Sequence, residues 1–203
     1  MKKALIIIFV LILLVIGLYF YYTRYKTIST DSHEPEQGTN EQIQQKTLKL
    51  AVWNIRIFSS DKRDDVELGY ICKNLINYDL TALIEVRDEN VLRRTENMLS
   101  TMGRNYNYLA SGEVGRGVKE RYAFLYDQDK VAVIKQGKIY PDKNDDFIRE
   151  PYFATFRSGN FDFTVMVVHI IWGDRVSERR KEIQKLAEVY ERIKNSDPIE
   201  KDV

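Results

Sequence analysis

The chain has 203 residues, and 31 Lys plus Arg nearly cancel 30 Asp plus Glu, leaving a formal net charge of +1. That length is enough for one domain with a real core, and thirteen Tyr and nine Phe argue against a largely disordered chain. Bulk charge names no partner, so any binding has to come from local chemistry.

Residues Ala4 to Tyr22 carry no charge and are almost all aliphatic or aromatic, behind Lys2-Lys3. A helix that crosses a bilayer needs ~20 such residues, so this run just suffices. The stretch Gly17-Leu18-Tyr19-Phe20-Tyr21-Tyr22 offers no small-residue cleavage site, and no cysteine follows it to take a lipid. The expectation is an uncleaved membrane anchor over residues 1–26, with Tyr19 to Tyr22 at the far interface. Lys2 and Lys3 favour a cytoplasmic N-terminus and Arg24 with Lys26 oppose it; on balance the following region is expected outside the cytoplasm. Residues 27–46 are rich in Ser, Thr, Gln, Glu and Asn and contain no aromatic residue. They read as a flexible linker.

From Leu48 the pattern becomes strands alternating with helices, an α/β arrangement that fills residues 47–203. Leu48 to Ile55 alternates as a strand. Asp64 to Asn77 has helical spacing through Val66, Gly69-Tyr70, Cys72 and Leu75-Ile76. Leu80 to Glu85 is a buried strand, and Val91, Leu92, Thr95, Met98, Leu99 and Met102 mark a second helix. Short β-type runs follow at Tyr106 to Ala110, Tyr122 to Tyr126, Val131 to Gln136, Tyr152 to Phe156 and Phe161 to His169. Ser177 to Ile193 closes as an amphipathic helix through Ile183, Leu186, Val189-Tyr190 and Ile193. Cys72, the sole cysteine, excludes an internal disulfide and fits a small buried hydrophobe.

Three of these strands deliver one polar group each at their C-terminal ends: Asn54, Glu85 and His169. A carboxylate can hold a hard divalent cation, an amide can meet a phosphate or that cation, and an imidazole can move a proton near neutral pH. Together they read as metal-assisted phosphodiester hydrolysis. Taken singly, each has a plainer alternative: a turn residue for Asn54, a solvated strand-end carboxylate for Glu85, a satisfied core histidine for His169. Trp53 alternates to the opposite face and reads as core.

Five stretches in order, Trp53-Asn54-Ile55-Arg56, Ile84-Glu85-Val86-Arg87-Asp88, Lys119-Glu120-Arg121-Tyr122, Arg149-Glu150-Pro151 and Val168-His169, resemble the endonuclease/exonuclease/phosphatase superfamily. Within it, the chain is most similar to deoxyribonuclease I. The resemblance implies a deoxyribonuclease I-like α/β sandwich from Leu48 onward. It implies Glu85 and Asn54 at a Mg²⁺ site (Mn²⁺ or Ca²⁺ being alternatives), and His169 as an acid or base oriented by Glu120. Arg56, Arg87 and Arg149 match arginines that contact the phosphates of DNA, the implied substrate. The family usually has Gln where this chain has Ile84.

The family's later Gly-Asp-x-Asn and Ser-Asp-His motifs do not occur in these 203 residues, whose only other histidine is His33 in the linker. The resemblance therefore covers the N-terminal portion of the domain. Without the second acid/base partner, the chain is expected to be inactive or nearly so, since one such group contributes ~10²–10⁴ in rate. An apolar sheet face is expected to be left uncovered. Two other readings stand beside the nuclease: a phospholipid or sugar-phosphate phosphohydrolase of the same superfamily, and a non-catalytic membrane-tethered remnant.

Overall fold

The computed structural model describes residues 47–196. The expected anchor (1–26), the linker (27–46) with His33, and residues 197–203 lie outside the described residues. Among the described residues no helix is long and apolar enough to cross a membrane.

The elements run β1 (Leu50–Phe58), α1 (Asp65–Leu75), β2 (Leu80–Val86), α2 (Glu89–Thr101), β3 (Tyr106–Ala110), β4 (Arg121–Asp127), β5 (Ala132–Ile139), β6 (Tyr152–Ser158), β7 (Phe161–Val167) and α3 (Val176–Ser196). Every strand and helix expected between Leu48 and Ile193 is present and in that order. The strands form two sheets, β1-β2-β4-β3 and β5-β6-β7. Only β1 and β2 pair in parallel, joined by α1; the other pairings are antiparallel. Asp64 and Asp88 cap α1 and α2 by accepting the amides of Glu67 and Val91, so each strand-to-helix turn is fixed where its helix begins.

Period-two alternation in β2 and β4 sorts their side chains to two different cores. Leu83, Ala123 and Leu125 face α1 and α2, packing on Leu68, Cys72, Leu75, Val91, Leu92 and Leu99. Leu80, Ala82, Ile84, Tyr122, Phe124 and Tyr126 face the second sheet, meeting Tyr152, Phe156, Phe163 and Val167. The far side of that second sheet, through Phe153 and Met166, joins Tyr140, Phe147, Val189 and Ile193 under α3. The layers are therefore helix, sheet, sheet, helix: the α/β sandwich expected.

Two helical stripes differ from expectation. In α1 the buried residues are Leu68, Cys72 and Leu75, while Val66 and Tyr70 are exposed. The wall packed on the sheet follows the i, i+4, i+7 row through Cys72, and the two off-row apolar residues face water. In α3, Ile183 is exposed and its neighbour Glu182 is buried. Edge strand β1 leaves Leu50 and Val52 exposed.

Burial pushes the Cys72 thiol up to about 11. It should resist a disulfide reagent at about pH 8 in the folded protein and react at the rate of unfolding, because only the thiolate attacks. Leu83, fully buried between sheet and helices, sets the scale of that core. Leu83→Ala should cost about 2–5 kcal/mol in a urea titration followed by the same thiol.

Candidate active site

The end of β2 breaks its own alternation. Glu85 has φ +63°, a left-handed conformation that non-glycine residues rarely take, and after it Val86 rather than Glu85 returns to the helix-side core with Leu83. The neighbouring strand does the same. Between the pairs Asn54–Ile84 and Phe58–Val86, β1 carries Ile55, Arg56 and Ile57 opposite Glu85 alone. Arg56 (φ +35°) and Ile57 (φ +52°) are both left-handed. A bulge of this kind re-aims side chains at a strand end, and a β-branched residue at positive φ holds strain of about 1–3 kcal/mol.

The strained backbone gives Glu85 its partners. Asn54 Nδ2 donates to Glu85 Oε1 at 2.9 Å, and the Ile57 amide donates to Oε2 at 3.0 Å. Asn54 Oδ1 in turn accepts the Arg56 amide at 2.8 Å. Arg63 straps the bulge from behind, with Nη2 donating to the carbonyls of Ile55 (3.1 Å) and Arg56 (2.7 Å). Each Glu85 oxygen accepts one of these bonds and keeps a lone pair for a cation. Burial raises the Glu85 pKa, but the Asn54 and Ile57 hydrogen bonds and the charges of His169 and Arg87 outweigh it. The carboxyl stays below its ordinary value and is ionised at neutral pH.

Glu120 lies immediately before β4 and is 1% exposed. Its Oε1 is 2.6 Å from His169 Nδ1, which must carry the proton because an ionised carboxylate only accepts. Oε2 makes no hydrogen bond and is answered by charge: Arg149 Nε at 3.2 Å, not aligned as a donor, and Arg87 Nη2 at 3.9 Å. Arg87 also lies 3.7 Å from Glu85 Oε2 and donates through Nη1 to the Lys119 carbonyl at 2.7 Å. His169 stands two residues beyond β7 rather than on it. Its amide donates to the buried Tyr122 hydroxyl at 2.9 Å, a phenol that burial holds above its usual pKa and so keeps neutral. With Nδ1 turned to Glu120, His169 Nε2 lies 3.9 Å from Glu85 Oε1.

Six of the seven expected site residues thus form one connected cluster: Asn54, Glu85, Arg87, Glu120, Arg149 and His169. Arg56 enters it through its amide, and its side chain is exposed. Arg87 and Arg149 are turned toward Glu120. The Ile57 amide, Arg63 and the Tyr122 hydroxyl are additions that strand pattern alone does not reveal.

Among the described residues no group of three or more His, Cys, Asp and Glu side chains is arranged to hold a metal. One carboxylate beside one amide fits a cation that keeps most of its waters, as Mg²⁺ does, and does not fit a closed protein cage.

No family model matches the chain. It is 32% identical over 148 residues to a deoxyribonuclease of Thioalkalivibrio sp., covering 71% of this chain and 40% of that protein. To dog deoxyribonuclease-1 it is 34% identical over 156 residues, covering 70% of this chain and 53% of the other. The chain thus spans about half the length of the curated relatives it matches. Its fold is shared with an endonuclease/exonuclease/phosphatase family protein from Leptotrichia buccalis (TM-score 0.51, 14% identity, 70% of this chain and 61% of that one).

Because the folded pKa of Glu85 lies below the unfolded one, its contribution to stability should be complete above the ordinary carboxylate pKa. It should be lost as pH falls through the lowered folded value. Glu85→Gln should flatten that part of an acid denaturation curve. Glu120→Gln, which leaves two arginines facing a neutral group, should cost about 3–5 kcal/mol in chemical denaturation.

Proposed function

From its similarity to deoxyribonucleases (32% and 34% identical) and the fold it shares, we propose that the chain belongs to the endonuclease/exonuclease/phosphatase superfamily and carries the first half of a DNA phosphodiesterase site. The observation that carries this reading is the Glu120–His169–Glu85 line. A buried carboxylate holds the histidine through Nδ1, and Nε2 faces the ionised carboxylate suited to a cation.

In this proposal Glu85, with Asn54 beside it, holds a divalent ion, Mg²⁺ first and Mn²⁺ or Ca²⁺ as alternatives. When bound, the ion supplies positive charge to the phosphoryl oxygens. His169 Nε2 moves a proton at the reacting phosphodiester, and Glu120 stabilises the imidazolium that results. Asn54 and the Ile57 amide keep Glu85 in place through its two oxygens. Arg56 reaches the DNA backbone from an exposed position, while Arg87 and Arg149 set positive potential beside it. Contacts of that kind give affinity without base readout.

The second proton-transfer group is not supplied by any other histidine in the described residues, so the 203-residue chain by itself is proposed to cleave very slowly or not at all. Residues 4–22 are proposed to anchor it in a membrane with the site outside the cytoplasm. The arginines at Arg56 and Arg87 favour DNA over a phospholipid or sugar phosphate. A tethered, non-catalytic binder is the second reading, supported by the single proton-transfer pair.

The test is a plasmid-nicking assay with Mg²⁺ on the open reading frame extended past residue 203, with sphingomyelin and inositol phosphates as competing substrates. Cleavage of DNA is expected to fall at least about 10²-fold in Glu85→Ala and in His169→Ala. DNA or protein binding that saturates and is untouched by both changes, without cleavage, would establish the binder instead.

A further inference from the structure

Glu182 is a carboxylate in the buried stripe of a helix. Leu186, Val189 and Ile193 continue its row along α3 and pack under Tyr140 and Phe147, yet Glu182 itself is 4% exposed. No ion pair reaches it among the described residues. Burying such a group is costly unless its lone pairs are met, and here two backbone amides from two different loops meet them. Oε1 accepts the Ile148 amide at 2.8 Å, and Oε2 accepts the Ile171 amide at 2.8 Å.

Both loops lead straight to the cluster around Glu120. Ile148 precedes Arg149, which ion-pairs with Glu120, and Ile171 follows His169 by two residues. The first loop enters β6 and the second leaves β7, and the pairing of those two strands ends at Tyr152–Val167, so Ile148 and Ile171 both lie beyond the ladder. Past that last pair one carboxylate joins the two segments, with each of its oxygens given to one of them. We propose that Glu182 is a positioning residue for the site: from α3 it staples the Arg149 loop to the His169 loop, and so sets the separation at which both can engage Glu120. Its place in a catalytic account rests on the phosphodiesterase reading above. The staple itself does not.

A glutamine has the same size but only one acceptor oxygen, so Glu182→Gln must release one of the two amides. The experiment compares the full 203-residue chain with Glu182→Gln by hydrogen exchange at Ile148 and Ile171, by the rate of His169 carbethoxylation read by peptide mass spectrometry, and by thermal melting. Exchange at one or both amides should rise about tenfold, the loss of one charge-assisted hydrogen bond. His169 should be modified several-fold faster, while exchange in β4 is unchanged. Faster amide exchange with an unchanged His169 rate would reduce Glu182 to a packing role and overturn the proposal. No change in either would remove the staple altogether. Should Glu182→Gln fail to fold, Glu182→Asp, charged but too short to span both amides, is read by the same criteria. None of these readouts involves DNA cleavage, so an extended protein that cleaves nothing would sink the phosphodiesterase reading and leave the staple standing.

Discussion

A carboxylate shut away from water needs positive charge or hydrogen-bond donors around it, or it reverts to the neutral acid. Glu120, at the entry to β4, meets that requirement with a histidine and two arginines, each arriving from a different part of the chain. Arg87 comes from the end of β2, Arg149 from the loop before β6, and His169 from just beyond β7. Because those segments belong to both sheets, satisfying one buried charge fixes how the ends of the two sheets meet. The chemistry of the site is a by-product of the same constraint: once Nδ1–H is committed to Glu120, Nε2 is the one basic atom His169 can offer.

The second determinant is the double distortion where β1 and β2 end. A regular strand would send Glu85 into the helix-side core, where an ionised side chain is not tolerated. The left-handed turn at Glu85 returns Val86 to that core and frees the carboxylate. The matching bulge at Arg56 and Ile57 turns a main-chain amide onto Glu85, and Arg63 ties the bulge down. The family's usual Gln before this Glu is Ile84 here, and Ile84 is spent on the inter-sheet core. Asn54 and the Ile57 amide supply the hydrogen bonds to Glu85.

Much of this was legible in the residues. Apolar periodicity marks every strand and helix between residues 47 and 196, since half-buried elements must repeat at 2 or 3.6 residues. Asn54, Glu85 and His169 stood out because a polar group closing an apolar run has no packing reason to be there. Three things were not legible. The bulge depends on how many residues of β1 oppose one residue of β2, a property of the pair rather than of either strand. The burial of Leu68 in place of Val66 and Tyr70 depends on which side of α1 the sheet presents. Glu182 reads as one more charge on a helix rich in charges, and only its alignment with Leu186, Val189 and Ile193 sets it apart. That alignment was visible, but exposed Ile183 next to it offers an equally good apolar start to the stripe.

The account stands or falls on the carboxylate that faces His169 Nε2. The most direct measurement is anomalous diffraction from crystals soaked in Mn²⁺, a stand-in for the proposed ion. A single strong peak within coordination distance of Glu85 and beside Asn54, absent from Glu85→Ala crystals, is the expected result. A well-ordered Glu85 with no peak, or a peak bound elsewhere on the domain, would contradict the assignment of this cluster as a metal-assisted site.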